Sequence, residues 1–140
     1  MNGVKIVRQV VVFDASDIAA ESAFWAGMLG GIVLANSSFH CVFDADGHWV
    51  IGVQLAPNHQ PPNWPDGNPQ QVHLDLHVDD FGEAHARAMK LGARTLKVAD
   101  DVSAVAGHQV YADPAGHPFC IGWGHPNDED VRKAILQNRN

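Results

Sequence analysis

Apolar and polar residues alternate along this chain in short runs, and twice the apolar positions shift to a helical spacing. Residues 7–14, VRQVVVFD, are short and β-branched and predict a strand. Ser16 and Asp17 follow, and either suits the cap of a helix over Ile18–Leu29, where Ile18, Ser22, Trp25 and Leu29 recur on one face. Gly30 and Gly31 end that helix, because glycine accepts the left-handed conformation at a helix C-terminus. Ile32–Leu34 predicts a short strand. Phe39–Phe43 and Trp49–Leu55 predict a hairpin around Asp44-Ala45-Asp46-Gly47. Residues 57–69 break the pattern with five prolines and Trp64, and read as a loop that is a linker, a lid, or an arm reaching another subunit.

After the loop the first pattern returns. VHLDLHVDD reads as a strand, and Phe81–Leu91 as a helix with Phe81, Ala84, Ala88 and Leu91 on one face, closed by Gly92. Arg94–Lys97, His108–Ala112 and Pro118–Gly122 predict three more strands, the last two flanking Asp113-Pro114-Ala115-Gly116; residues 126–140 predict a short helix with a polar end. Asp17 and Asp80 open the two main helices, 63 positions apart, and each unit runs strand, helix, three strands. The fold class that follows is α+β. Two βαβββ modules form a cupped, mixed eight-stranded sheet with helices on its outer face. Module one covers about 7–56, the proline-rich loop 57–71, module two about 72–122, and a tail 123–140.

Composition narrows the function. At 140 residues, 46% hydrophobic and 18% charged, the chain fits one domain. A net charge of −7 argues against nucleic acid or an anionic membrane as partner. The run IVRQVVVF carries Arg8 and Gln9 and makes a poor signal core, and no stretch approaches a membrane span. Cys41 and Cys120 form no CxxC pair, so they read as free thiols in a reducing, cytoplasmic compartment.

Strand alternation then picks out a candidate site. Leu74, Leu76 and Val78 share one face of their strand and face the helices; His73, Asp75 and His77 share the other. Three polar groups in a row need water, hydrogen bonds or a ligand. The 63-residue offset makes Val10 the counterpart of His73, with Val12 on the same inner face, and Gly52 and Gln54 sharing it on the fourth strand. Cys120 alternates with Phe119 and Ile121 and faces the same hollow, or else packs as a small apolar residue. Gln54, His73, Asp75 and Cys120 form the candidate set. Trp64 either closes over a ligand or packs its loop; Tyr111 either lines the pocket or packs in the core. Trp25 reads as core, His117 as ordering its turn, and His85 as lying on the wet face of the second helix. His40, His48, His59, His108 and His125 are assigned to strand ends or loops.

VVVFDASDIAAESAFWAGMLGG resembles the opening strand and helix of the vicinal-oxygen-chelate superfamily, the group of glyoxalase I, bleomycin-resistance proteins and extradiol dioxygenases. VHLDLHVDDFGEAHARAMKLGA resembles its second-half counterpart, and DPAGHPFCIG its closing turn and strand. The glyoxalase-like subgroup is the most similar, through Gln54, Trp64-Pro65, the HLDL run and Cys120 in order. The resemblance implies a cupped sheet that holds a small molecule, often over a divalent metal bound by His and Glu. His73 matches a first-strand ligand, Val10 stands in place of the other, and Cys120 in place of a terminal glutamate.

That depletion shapes the expected function. Valine binds no metal, and cysteine must ionise first. A facial triad of two histidines and a carboxylate does not assemble, which disfavours a dioxygenase. Gln54 cannot serve as the carboxylate base of a glyoxalase I mechanism. A zinc site from His73, Cys120 and either His77 or Asp75 stays open. In the leading reading a homodimer binds a small organic molecule, with metal-assisted lyase or isomerase chemistry at a carbonyl. There His73 is base or ligand and Cys120 ligand or nucleophile. The rival is metal-free sequestration of a drug-like aromatic compound, with Trp64, Tyr111 and the inner sheet face as stacking surface.

Overall fold

The computed structural model describes residues 3–124 and 126–137; His125 and the end of the expected C-terminal helix lie outside the described residues. Both main helices are set by their caps. Asp17, not Ser16, opens α1 (Ile18–Leu29) by accepting from the Ala20 N–H at 3.0 Å. Asp80 opens α2 (Phe81–Leu91) by accepting from the Glu83 N–H at 3.0 Å. Gly30 and Gly92 end them at φ 68° and 108°, where a Cβ would strain the backbone.

The strands divide into two four-stranded sheets. β1 (Val11–Ala15), β4 (Trp49–Leu55), β3 (Phe39–Phe43) and β2 (Val33–Ala35) form the first, in that spatial order. β5 (Leu74–Val78), β8 (Pro118–Trp123), β7 (Gly107–Ala112) and β6 (Arg94–Lys97) form the second. Within each, the first and last strands of the module pair in parallel and the others antiparallel. α3 (Asp128–Gln137) follows, with no buried residue. Among the described residues no helix is long and apolar enough to cross a membrane.

One core lies between the sheets and the helices. Trp25 is its centre, fully buried, stacked on Phe13 at 5.4 Å and meeting Phe119 edge-on at 5.1 Å. Leu74, Leu76 and Val78 pack against this core, which leaves the other face of β5 for polar residues. The modules are tied beneath it. Trp25 Nε1 donates to Glu21 Oε1 and Asp113 Oδ2, the Ala115 N–H donates to Glu21 Oε2, and Arg87 Nε donates to the Gly27 carbonyl. Glu21 is buried, and burial first, then Asp113, pushes its carboxyl up to about 10.

Two histidines differ from expectation. His40 is buried on β3, its Nδ1 2.7 Å from Ser22 Oγ. His85 is half-buried rather than on a wet face, because Tyr111 Oη reaches its Nδ1 at 2.7 Å.

Candidate functional site

Alternation along β5 sends His73, Asp75 and His77 to the face away from the helices. Parallel pairing with β8 sets Cys120 beside Asp75 and Gly122 beside His77, and β7 brings His108 opposite Gly122. These six residues line a polar hollow of about 160 Å³. His73 Nε2 lies 3.2 Å from Asp75 Oδ1, and donor atoms of His73, Asp75 and Cys120 all lie within 4.8 Å of one another. Burial pushes the Cys120 thiol up to about 11; the Asp75 charge and the thiol's hydrogen bond to that carboxylate add to the shift.

A second donor group, Asp44, Asp46 and His48, is the hairpin turn itself. There Asp44 Oδ1 accepts the Asp46 and His48 N–H groups, and the His48 N–H holds the Asp44 carboxyl below its usual range.

A larger cavity of about 550 Å³ adjoins the hollow, between β1, the start of β5 and the proline-rich loop. Its wall is mostly apolar, with Val12, Pro61, Pro62, Val72, Leu74 and Pro118. His73 lines both spaces. His59 and His117 also line the larger one, their rings 4.8 Å apart, with His117 4.9 Å from Phe13. His117 Nε2 contacts the Asp14 carbonyl at 2.7 Å and His59 Nε2 the Ala115 carbonyl at 3.1 Å. A carbonyl only accepts, so each Nε2 carries the proton, and a neutral ring keeps its lone pair on Nδ1.

The structure brings together His73, Asp75, Cys120 and His77, and sets Val12 in the adjoining cavity. Within the donor group it is Asp75 that joins His73 and Cys120, and His77 lines the hollow outside that group. Four expected residues fall elsewhere. Gln54 is exposed on β4, paired with Asp14 and Phe39, and lines neither space. The parallel register Val12↔Gly52 matches Asp75↔Cys120, so Gly52 is the counterpart of Cys120. Tyr111 is fully buried on the helix side, stacked on Phe119 at 5.4 Å and accepting from Gln109 Nε2 at 3.1 Å; its neighbour Val110 pairs with Cys120 instead. Trp64 is half-buried in the loop and lines neither space, and Val10 sits just before β1, also outside both. His59, His108 and His117 line these spaces, although sequence reasoning assigned His59 and His108 to strand ends or loops and His117 to ordering its turn. His108 was within reach of the hairpin register, since counting out from the Asp113–His117 turn pairs it with Gly122.

Residues 10–122 match the family described as Glyoxalase-like domain. No curated protein matches the chain. Its structure is similar to the fosfomycin resistance protein FosX from Mesorhizobium loti, at TM-score 0.64 and 14% identity over 94% of this chain and 98% of that one. It is also similar to a glyoxalase/dioxygenase from Nostoc punctiforme, at TM-score 0.63 and 18% identity over 91% and 99%. A glyoxalase/bleomycin resistance protein/dioxygenase family enzyme from Burkholderia phytofirmans PsJN gives TM-score 0.61 and 19% identity over 83% and 97%. Identities this low show the fold alone. The family match is wider in meaning, because it runs from β1 of the first module to β8 of the second. The chain therefore belongs to the glyoxalase-like domain family of the vicinal-oxygen-chelate superfamily.

Proposed function

We propose that this protein binds a small organic molecule, with the apolar body in the larger cavity and a polar end in the adjoining hollow. The observation that supports this reading most is that His73 lines both spaces, so one ligand can span them. The 550 Å³ volume falls within the roughly 300–1,000 Å³ of small-molecule sites.

The polar end suits a divalent metal such as zinc. Zinc bonds of about 2.0–2.3 Å separate tetrahedral donors by roughly 3.3–3.8 Å. The donor atoms of His73, Asp75 and Cys120 already lie within 4.8 Å of one another, so short side-chain movements suffice. Imidazole, carboxylate and thiolate are all zinc donors, and three of them leave a fourth position open. A metal bound there supplies Lewis-acid polarisation of a carbonyl oxygen. Cys120 must first lose its proton, and Asp75, which already accepts the thiol hydrogen bond, is placed to pass it on to solvent before both would serve as donors. With the thiol near 11, thiolate is scarce at neutral pH, so Cys120 serves as ligand rather than as an unaided nucleophile. His77 and His108 line the hollow outside the donor group and are placed to carry protons in lyase or isomerase chemistry.

Metal-free sequestration is the second reading, favoured by the apolar wall of the larger cavity and by the protonated thiol. In either case we infer a cytoplasmic homodimer. Leu34 stands exposed on the first sheet, and a second copy would cover it.

Cobalt(II) titration separates the two readings. The expected result is a thiolate-to-cobalt charge-transfer band that disappears in Cys120→Ser and an affinity reduced by more than about tenfold in His73→Ala. Absence of the band, with binding of aromatic compounds unchanged after chelation, would leave sequestration as the function.

A further inference from the structure

A separate cavity lies on the outer, helix-bearing face of the second sheet. It measures about 680 Å³ and is lined by the start of α2, the loop 98–106 and strands β6, β7 and β8. Strand alternation puts Gln109 and Trp123 on this face, while His108, Cys120 and Gly122 face the hollow on the other side. The cavity arises from a difference between the modules. α1 packs on β3 and β4 and buries Phe24, Trp25 and Ala26, whereas α2 packs on β8 and buries Ala88 alone. Phe81, Val98, Val102, Ala104 and Trp123 give the wall its apolar character.

One hydrogen-bond donor stands in this wall, and a buried chain fixes it. The Ala99 N–H donates to Gln109 Oε1 at 3.0 Å, which turns the amide Nε2 toward Tyr111 Oη, 3.1 Å away. Tyr111 is fully buried, so its own proton needs an acceptor, and among the described residues His85 Nδ1, at 2.7 Å, is the one that contacts it. Gln109 Nε2 lies 3.5 Å from the same nitrogen. With donors on that side Nδ1 accepts, and the ring carries its proton on Nε2. His85 Nε2 has no hydrogen-bond partner among the described residues and is not buried, so it is open to a ligand. Asp79 also lines the cavity, and no lysine or arginine does among the described residues. That charge repels an anion, so the acceptor that suits His85 is a neutral one.

We propose that this outer cavity is a second binding site, for a neutral molecule with an apolar aromatic body and a carbonyl oxygen that accepts from His85 Nε2–H. It lies across the sheet from the hollow and does not rest on what the hollow binds.

Acetophenone and ethylbenzene test this by heteronuclear NMR titration of the full chain. The two probes share one ring and differ in a carbonyl against a methylene. Both should shift the amides of Phe81, His85 and residues 98–104. The affinity of acetophenone relative to ethylbenzene should fall about fivefold in His85→Phe, which keeps a flat ring and removes the donor. Ethylbenzene itself should bind the two proteins equally, to within about twofold, since it never used the donor. A nitrogen spectrum of the wild-type imidazoles should show His85 protonated on Nε2, which checks the donor without any variant. An unchanged affinity ratio, a His85 proton on Nδ1, or shifts confined to β1 and β5 would each overturn the proposal, as would binding of neither probe.

Discussion

Replacing Glu21 with glutamine will flatten the pH dependence of folding stability. Glu21 is fully buried between the modules, accepting from Trp25 Nε1 at 2.9 Å and from the Ala115 N–H at 2.8 Å. Burial, then the hydrogen bond and charge of Asp113, raise its carboxyl from 4.5 to about 10. At neutral pH the native pair therefore keeps one proton that the unfolded chain has released. The folded value is the higher one, so this contribution to stability is full below pH 4.5 and is lost as pH rises through about 10. One proton corresponds to a slope of about 1.4 kcal/mol per pH unit inside that window. Glutamine has no proton to lose, yet it keeps one donor toward Asp113 and one acceptor for Trp25 or Ala115.

Urea unfolding of both proteins at closely spaced pH values measures the effect. Taking the difference between wild type and Glu21→Gln cancels the titration of the nine histidines. That difference should fall by about 1.4 kcal/mol per unit between roughly pH 6 and 9. Parallel curves would refute the reasoning, because they would mean that Glu21 gains no proton on folding. Glu21→Ala should instead cost about 2–4 kcal/mol across the range, through a cavity and an unpaired Ala115 N–H.

Three further outcomes follow from the same geometry. Because Asp75 helps to raise the Cys120 thiol, Asp75→Asn should speed alkylation of Cys120 by iodoacetamide at mildly alkaline pH, and an unchanged rate would remove Asp75 from that role. Tyr111→Phe should cost about 1 kcal/mol in a denaturant melt, because it removes the hydroxyl that joins His85 Nδ1 and Gln109 Nε2 and leaves those two only their longer contact with each other at 3.5 Å. An unchanged melt would mean that these hydroxyl contacts add nothing to the fold. Gly52→Ala should destabilise by about 1–2 kcal/mol, since its Cβ would lie 2.5 Å from the Phe39 ring; the same change in a Phe39→Leu background should be close to neutral.

Features carried by nearest-neighbour chemistry were legible in the sequence. Asp17, Asp80, Gly30 and Gly92 mark helix ends because capping depends on residues a turn apart. The stripe of His73, Asp75 and His77 was legible because side chains on a strand alternate with period two. Register was harder. Nothing local fixes how far β1 slides along β4, and the offset between modules left Gln54 and Gly52 as alternatives on one face. The Val12↔Gly52 pairing decides between them. Tyr111 required counting along a hairpin, where the Ala112↔Pro118 pair puts odd-numbered β7 residues with Phe119 and Ile121. His59, Gln70 and the bypassed Trp64 lie in or beside a proline-rich stretch with no period, so only the folded path of the loop shows which of them reach the cavity.

The two modules share a backbone plan, yet among the described residues the strand positions that give His73, Asp75 and Cys120 in the second carry no such group in the first, and the reason lies in packing as well as in residue identity. The counterparts of Asp75 and Cys120 are Val12 and Gly52. A side chain at Gly52 would run into the Phe39 ring and the Val12 methyl, because the ring lies across the space that a thiol occupies on β8. Restoring a ligand at position 52 therefore means moving Phe39, which also meets Trp49 edge-on at 6.3 Å, with Arg8 over the Trp49 ring. On the second sheet the equivalent neighbours of Cys120 are Asp75 and Val110, and among the described residues no aromatic ring lines the hollow beyond its histidines. One half of the fold has thus filled its inner face with aromatic surface while the other keeps a polar opening. The cavity between β1 and the start of β5 is accordingly lined by Val11, Val12, Phe13 and Asp14 from the first module and by Val72, His73 and Leu74 beside the second.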